Sequence, residues 1–156
     1  MAPTPPSSPP PLRHEVHAQL GKSCLVYLAI ESTLKLYLPY VRGSEKELLK
    51  VDTINWRELL DTKAPLGSLV KLLLERIHVE PRESFENQLK LLVENRNQFI
   101  HHFNELPFAP LATDAECEAA LKYLSVRKEF AIKWFEVFKN LAERVLGGQR
   151  QAQGER

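Results

Sequence analysis

The sequence predicts an all-α fold, an antiparallel bundle of four to five helices, and three observations carry that expectation. Apolar residues recur at helical spacing over most of the chain, most clearly at Phe85, Leu89, Leu92, Phe99 and Phe103 with Arg96 in register between them. Pro39, Pro65, Pro81, Pro107 and Gly147 fall between the periodic stretches, where they can end helices. No segment has the alternation of a convincing strand. At 156 residues, 44% hydrophobic and 26% charged, the chain is about one domain long and can bury a core.

Residues 1–11 contain six prolines and almost nothing to bury, and so read as a disordered tail with polyproline tendency. Residues 12–146 form a single helical-bundle domain. Its first helix is expected from Arg13 to Leu38, with Val16, Leu20, Leu25, Leu28, Ala29 and Leu36 as its apolar positions. Pro39, Gly43 and Ser44 end it. A short helix over 45–51 and a cap made by Trp56, Leu59 and Leu60 are expected next. Pro65-Leu66-Gly67-Ser68 opens a second helix carrying Leu69, Leu72 and Leu73.

Pro81 separates that helix from a central one, which Pro107 and Pro110 stop near Phe103 or Glu105. Thr113, with Glu116 three residues on, is a capping box for the last helix. Leu121, Leu124, Phe130, Trp134, Val137, Phe138, Leu141 and Val145 are its expected buried face. Gly147-Gly148 is expected to end it near Leu146, leaving 147–156 as a polar tail.

A net charge of +1 gives no broad electrostatic footprint for nucleic acid, so any phosphate contacts come from a local cluster of cations. Cys24 and Cys117, far apart in apolar-periodic stretches, read as reduced core thiols. No run reaches the roughly 18 apolar residues of a membrane span, and the N-terminus is not built like a signal peptide. A cytoplasmic protein with no membrane partner is expected. Gly21-Lys22-Ser23 has Val16 where a phosphate-binding loop needs its first glycine, and no strand precedes it. His14 and His17 can share a helix face, but nothing completes a ligand set. No metal or cofactor is expected.

The candidate site lies on the central helix. Arg96 stands where another leucine would pack best, and a guanidinium buried without a partner costs several kcal/mol. Asn97, His101 and His102 follow it. At 100° per residue, His101 lies about 140° around the helix from Arg96 and His102 about 120° the other way. That count predicts that arginine and histidine cooperate across a dimer or through a distorted helix end. A second copy, pairing the helix 85–105 against itself, would cover the apolar stripe and bring two sets of Arg, Asn and His into one cleft. These residue types suit metal-free RNA cleavage, which needs a base for the 2′-hydroxyl, an acid for the leaving oxygen and a cation for the phosphorane. Histidine serves as acid or base, arginine grips phosphate, and Asn97 can orient either.

Arg96-Asn97-Gln98-Phe99-Ile100-His101 resembles the R-x4-6-H motif of HEPN domains, in which a polar residue typically follows the arginine. Residues 12–146, with a long first helix and the motif on the third main helix, are similar to HEPN bundles. The resemblance implies a homodimer with a composite cleft and a metal-independent endoribonuclease of toxin–antitoxin or defence type. It assigns Arg96 and His101 as the catalytic pair and Asn97 as the polar accessory. His102 fits the longer spacing, so the choice of histidine stays open. RNA and an antitoxin or other protein are the implied partners. Two further readings stand beside this one. Arg96 can instead pair with a carboxylate such as Glu31 on the first helix, and the domain can be a non-catalytic module that binds a protein partner through the same groove.

Overall fold

Four α-helices account for most of residues 11–41 and 65–154, which the computed structural model describes. They are α1 (Arg13–Tyr37), α2 (Leu66–Arg76), α3 (Arg82–His101) and α4 (Asp114–Gly154). Short 3-10 turns at Leu38–Tyr40 and Phe103–Glu105 follow α1 and α3. No strand occurs among the described residues, and the all-α bundle is as the periodicity predicts. The helix expected at 45–51, the Trp56 cap and the tail at 1–10 lie outside the described residues.

Local chemistry sets the helix ends. Glu116 N–H donates to Thr113 Oγ1 at 3.2 Å, while the Thr113 and Ala112 N–H groups donate to the Glu116 carboxylate at 3.1 and 2.6 Å. This is the expected capping box, and it meets donors that a helix start leaves unpaired. Pro81 forces the break between α2 and α3, and Arg82 closes the turn. Its guanidinium donates to Leu74 O in the last turn of α2 and to Ile77 O just after it, and its Nε to Glu86. Arg76 Nη1 donates to Leu38 O at 2.8 Å, joining the end of α2 to the end of α1. With α2 and α3 joined by a tight turn, α3 runs counter to its neighbours. Its start lies beside the ends of α1 and α2, and its end beside the first half of α4.

The core forms around the close pairing of α1 with α4, with α3 laid along that pair and α2 packed against α1 and α3. Leu89, Leu92 and Phe99 of α3, with Phe103 in the turn after it, are buried with Tyr27, Ile30 and Leu34 of α1, Leu69 and Leu73 of α2, and Leu124 and Phe138 of α4. Edge-to-face rings cross these layers: Phe99 meets Tyr27 at 5.6 Å and Tyr123 at 6.0 Å, and Phe85 meets Trp134 at 5.4 Å. The apolar stripe of α3 is therefore covered within one chain. The argument that a second copy is needed to cover it falls.

Two further expectations are corrected. The buried face of α1 is Val16, Ser23, Tyr27, Ile30, Leu34 and Tyr37, whereas Leu25, Leu28 and Leu36 are 65%, 50% and 58% exposed. The two stripes lie about half a turn apart on the helix. Leucine count points to the wrong one because two tyrosines and a serine occupy the inner face. Ser23 manages this by donating its hydroxyl to Gln19 O at 2.8 Å. On α4, Val137 is likewise exposed, and the helix passes through Gly147-Gly148 to Gly154. Each glycine costs a helix about 1 kcal/mol but does not forbid it. No described glycine takes the left-handed conformation that would make a stop.

Candidate functional site

Packing carries Arg96 to the rim of the core. Leu92 and Phe99, one turn either side, are buried and hold that face of α3 inward. The arginine side chain then leaves along the α1–α3 seam. There its Nε donates to Glu31 Oε1 at 3.1 Å, with the two side chains only 15% and 12% exposed. A charge this far from water needs its counterion, since desolvating either group alone costs several kcal/mol. The Glu31 pairing weighed from sequence is thus present.

The same guanidinium also reaches the motif. Arg96 Nη1 lies 3.3 Å from Asn97 Oδ1 and 3.3 Å from His101 Nε2. Arginine has no acceptor, so in this contact Nε2 of His101 accepts and its ring proton sits on Nδ1. The expectation that Arg96 and His101 cooperate mainly across a dimer or through a distorted helix end is therefore corrected. Both lie in one regular α-helix of one chain. Angles measured at the backbone place the residues apart, but side chains lean toward the helix N-terminus, and a guanidinium on three methylenes spans the arc.

His102 has a different place. It is the C-cap of α3, with Nδ1 3.0 Å from Glu105 Oε1, and the Gln98 amide donates to its carbonyl at 3.2 Å. Its ring centroid is 6.3 Å from that of His101. The fold brings Arg96, Asn97 and His101 together and turns His102 toward Glu105. Asn97 and His101 are exposed, so the cluster opens to solvent on the side away from Glu31. Cys24 of α1 is half-buried nearby. Burial pushes its thiol up, and the charge of Arg96 opposes that.

One polar cluster on α3 has no clear sequence signal. Asn95, 7% exposed, accepts from Arg127 Nε at 3.1 Å, and the Arg127 guanidinium lies 3.7 Å over the Tyr123 ring. Within Glu94-Asn95-Arg96-Asn97 nothing local marks Asn95 as the buried member. The Gly21-Lys22-Ser23 run lies inside α1 with Ser23 buried, where it cannot cradle a phosphate. Trp134 and Phe138 are buried and Phe135 is half-buried, in the core rather than on a stacking platform. No described helix is long and apolar enough to cross a membrane. No family model, curated protein or solved structure matches the chain.

Proposed function

We propose that this protein is a HEPN-like, metal-independent endoribonuclease of toxin or defence type, acting in the cytoplasm as a homodimer on RNA. The observation that carries the proposal is the single guanidinium of Arg96, held by Glu31 at Nε while Nη1 touches both Asn97 and His101. Glu31 fixes the arginine from behind. The two 3.3 Å contacts are long for hydrogen bonds and are readily exchanged for the phosphate oxygens of a bound RNA. That exchange releases Nε2 of His101, which takes the proton of the attacking 2′-hydroxyl. Oxygen attack on phosphorus closes a 2′,3′-cyclic phosphate, and Arg96 offsets the negative charge gathering on the phosphorane. Asn97 orients the imidazole or the phosphate.

The leaving 5′-oxygen needs an acid. A second copy supplies it as a second His101, with the exposed Leu25 and Leu28 on the Glu31 helix and Ile100 beside His101 as the docking face. An antitoxin-like protein partner would compete for that face. RNA incubated with the protein in chelator is expected to give fragments with 2′,3′-cyclic phosphate ends. Identical RNA patterns from wild type and His101→Ala would end this proposal.

The Glu31–Arg96 pair itself favours a second reading, a non-catalytic module in which the pair only clamps α1 to α3 and the groove binds a protein. It predicts that Arg96→Ala lowers stability or assembly and that no RNA is turned over. Light scattering on the eluting wild-type protein separates the two early, because a monomer lacks the second histidine.

A further inference from the structure

The groove between α2 and α3 is apolar on its floor and charged on its walls. It encloses about 470 Å³, and among the described residues its lining comes from α2 and α3 alone. Val70 and Leu74 of α2 and Val93 of α3 form the floor, the first buried and the others half-buried. Lys71 and Glu75 stand on one wall, Glu86 and Lys90 on the other.

Two contacts fix how the walls face each other. A Cβ on Gly67 would lie 3.5 Å from Cγ1 of Val93, while at the far end Arg82 of α3 donates to Leu74 O and Ile77 O. The two helices therefore run antiparallel along the groove. At 1.5 Å per residue, Lys71 stands about 6 Å down from Gly67 and Lys90 about 4.5 Å down from Val93. The lysines are thus at nearly one height on opposite walls. Glu75 and Glu86 lie about 12 and 10.5 Å down, again nearly level. Like charge faces like charge at both heights. Glu86 is bonded to Arg82 at 2.6 Å, and no described carboxylate forms an ion pair with Lys71 or Lys90.

Like charges set across a gap add nothing to the stability of the bundle itself, but they suit a third element laid between them. A carboxylate between the lysines is attracted by both walls, and so is a cation between the glutamates. The step of about 6 Å from one level to the next is the rise of four helical residues. An extended segment would leave backbone donors and acceptors unpaired over the apolar floor, whereas a helix bonds its own.

We infer that this groove binds an amphipathic helix of a protein partner. Its apolar face lies on Val70, Leu74 and Val93, with an acidic residue between Lys71 and Lys90 and a basic residue four positions away between Glu75 and Glu86. None of these groove residues belongs to the Arg96 cluster, so the inference stands or falls independently of the ribonuclease proposal.

The probe is a stapled peptide of about four helical turns, with leucines at i, i+4 and i+7, a central glutamate at the edge of that face, and a lysine four residues after the glutamate. Calorimetry on the full-length chain at physiological salt should give a dissociation constant below about 200 μM. A twin with lysine for the central glutamate should bind at least about fivefold more weakly, and a version with alanine for the leucines should not bind. The Gly67 amide resonance should shift on binding. Lys71 and Lys90 are exposed, so Lys71→Glu with Lys90→Glu should keep the wild-type circular dichroism and reverse the preference, taking the lysine twin over the glutamate peptide. The inference is overturned if the glutamate peptide does not saturate below about 1 mM, if its twin binds as well, or if the double variant keeps the wild-type order. Self-association of the chain that the double variant abolishes would make the occupant a second copy and overturn the choice of partner.

Discussion

Two arginines meet α3 on opposite flanks, and they differ in company rather than in burial alone. Arg127 reaches in from α4, gives its Nε to the amide of Asn95 and lays its guanidinium on the Tyr123 ring. An amide and a phenol ring neither take nor give a proton near neutral pH, so the cluster can lock two helices together and do no acid–base work. Arg96 is bound by a carboxylate on the inner side and faces a carboxamide and an imidazole on the outer side. Only the second set combines a fixed cation with an imidazole, a group able to act as acid or base. An arginine within an apolar helix is thus no sign of chemistry until its partners are counted.

The sharpest way to break this contrast is at His101. On the ribonuclease proposal, His101→Ala should lower RNA cleavage by about 10²–10⁴-fold, the usual worth of a general acid or base. Its melting temperature should stay close to wild type, because the imidazole is exposed and makes one long contact. If cleavage is unchanged, the Arg96 cluster is as structural as the Arg127 one.

Glu31 should show the largest stability effect. Glu31→Ala leaves a mostly buried guanidinium without its counterion, at a cost of up to about 3 kcal/mol. That corresponds to a fall of roughly 6–12 °C for a chain of this size. Replacing both members, as Glu31→Leu with Arg96→Met, should recover most of the loss, since an apolar pair of similar volume avoids the desolvation. A double variant as unstable as Glu31→Ala would show that the pair contributes more than mutual compensation.

Asn95→Ala should cost about 1–2 kcal/mol by leaving Arg127 Nε without its acceptor. RNA cleavage per folded molecule should not change. Equal damage to cleavage from Asn95→Ala and His101→Ala would erase the distinction between the two flanks.

These two clusters also mark how far the sequence could be read. The four described helices, the Thr113 cap and the inward face of α3 follow from short-range rules of spacing and capping, which need no knowledge of neighbours. Arg96 was visible as a polar residue breaking an apolar stripe, and Glu31 as one carboxylate able to answer it. Asn95 was not visible, because its partner is 32 residues away and its own position breaks no pattern. The inner face of α1 is illegible for a related reason. Hydropathy ranks leucine over tyrosine, while burial goes to whichever side the other helices cover, and only tertiary packing decides that. The meeting of Arg96 with His101 does not show on a helical wheel, which has angles but no side-chain length.

Tyrosines on that inner face offer the smallest effect and a separate test of the closed flank. The phenol oxygens of Tyr27 and Tyr37 are buried with no hydrogen-bond partner among the described residues, and burial raises both groups well above the usual tyrosine range. For Tyr27 the charge of Arg127 opposes that shift, whereas Tyr37 has burial alone. The folded state therefore keeps both protons where the unfolded chain loses them, above about pH 10. The unfolded state then binds fewer protons, so stability falls with rising pH by about 1.4 kcal/mol per unit for each phenol and is unaffected by them below pH 10. Tyr37→Phe should remove one of these contributions, lowering the alkaline slope by about 1.4 kcal/mol per unit. At neutral pH the same change should stabilise the protein by about 1 kcal/mol, because it deletes a buried hydroxyl that gains no bond in return. Urea titrations at pH 8 and pH 11 measure both effects, and an unchanged slope would place the Tyr37 hydroxyl in contact with water or another polar group.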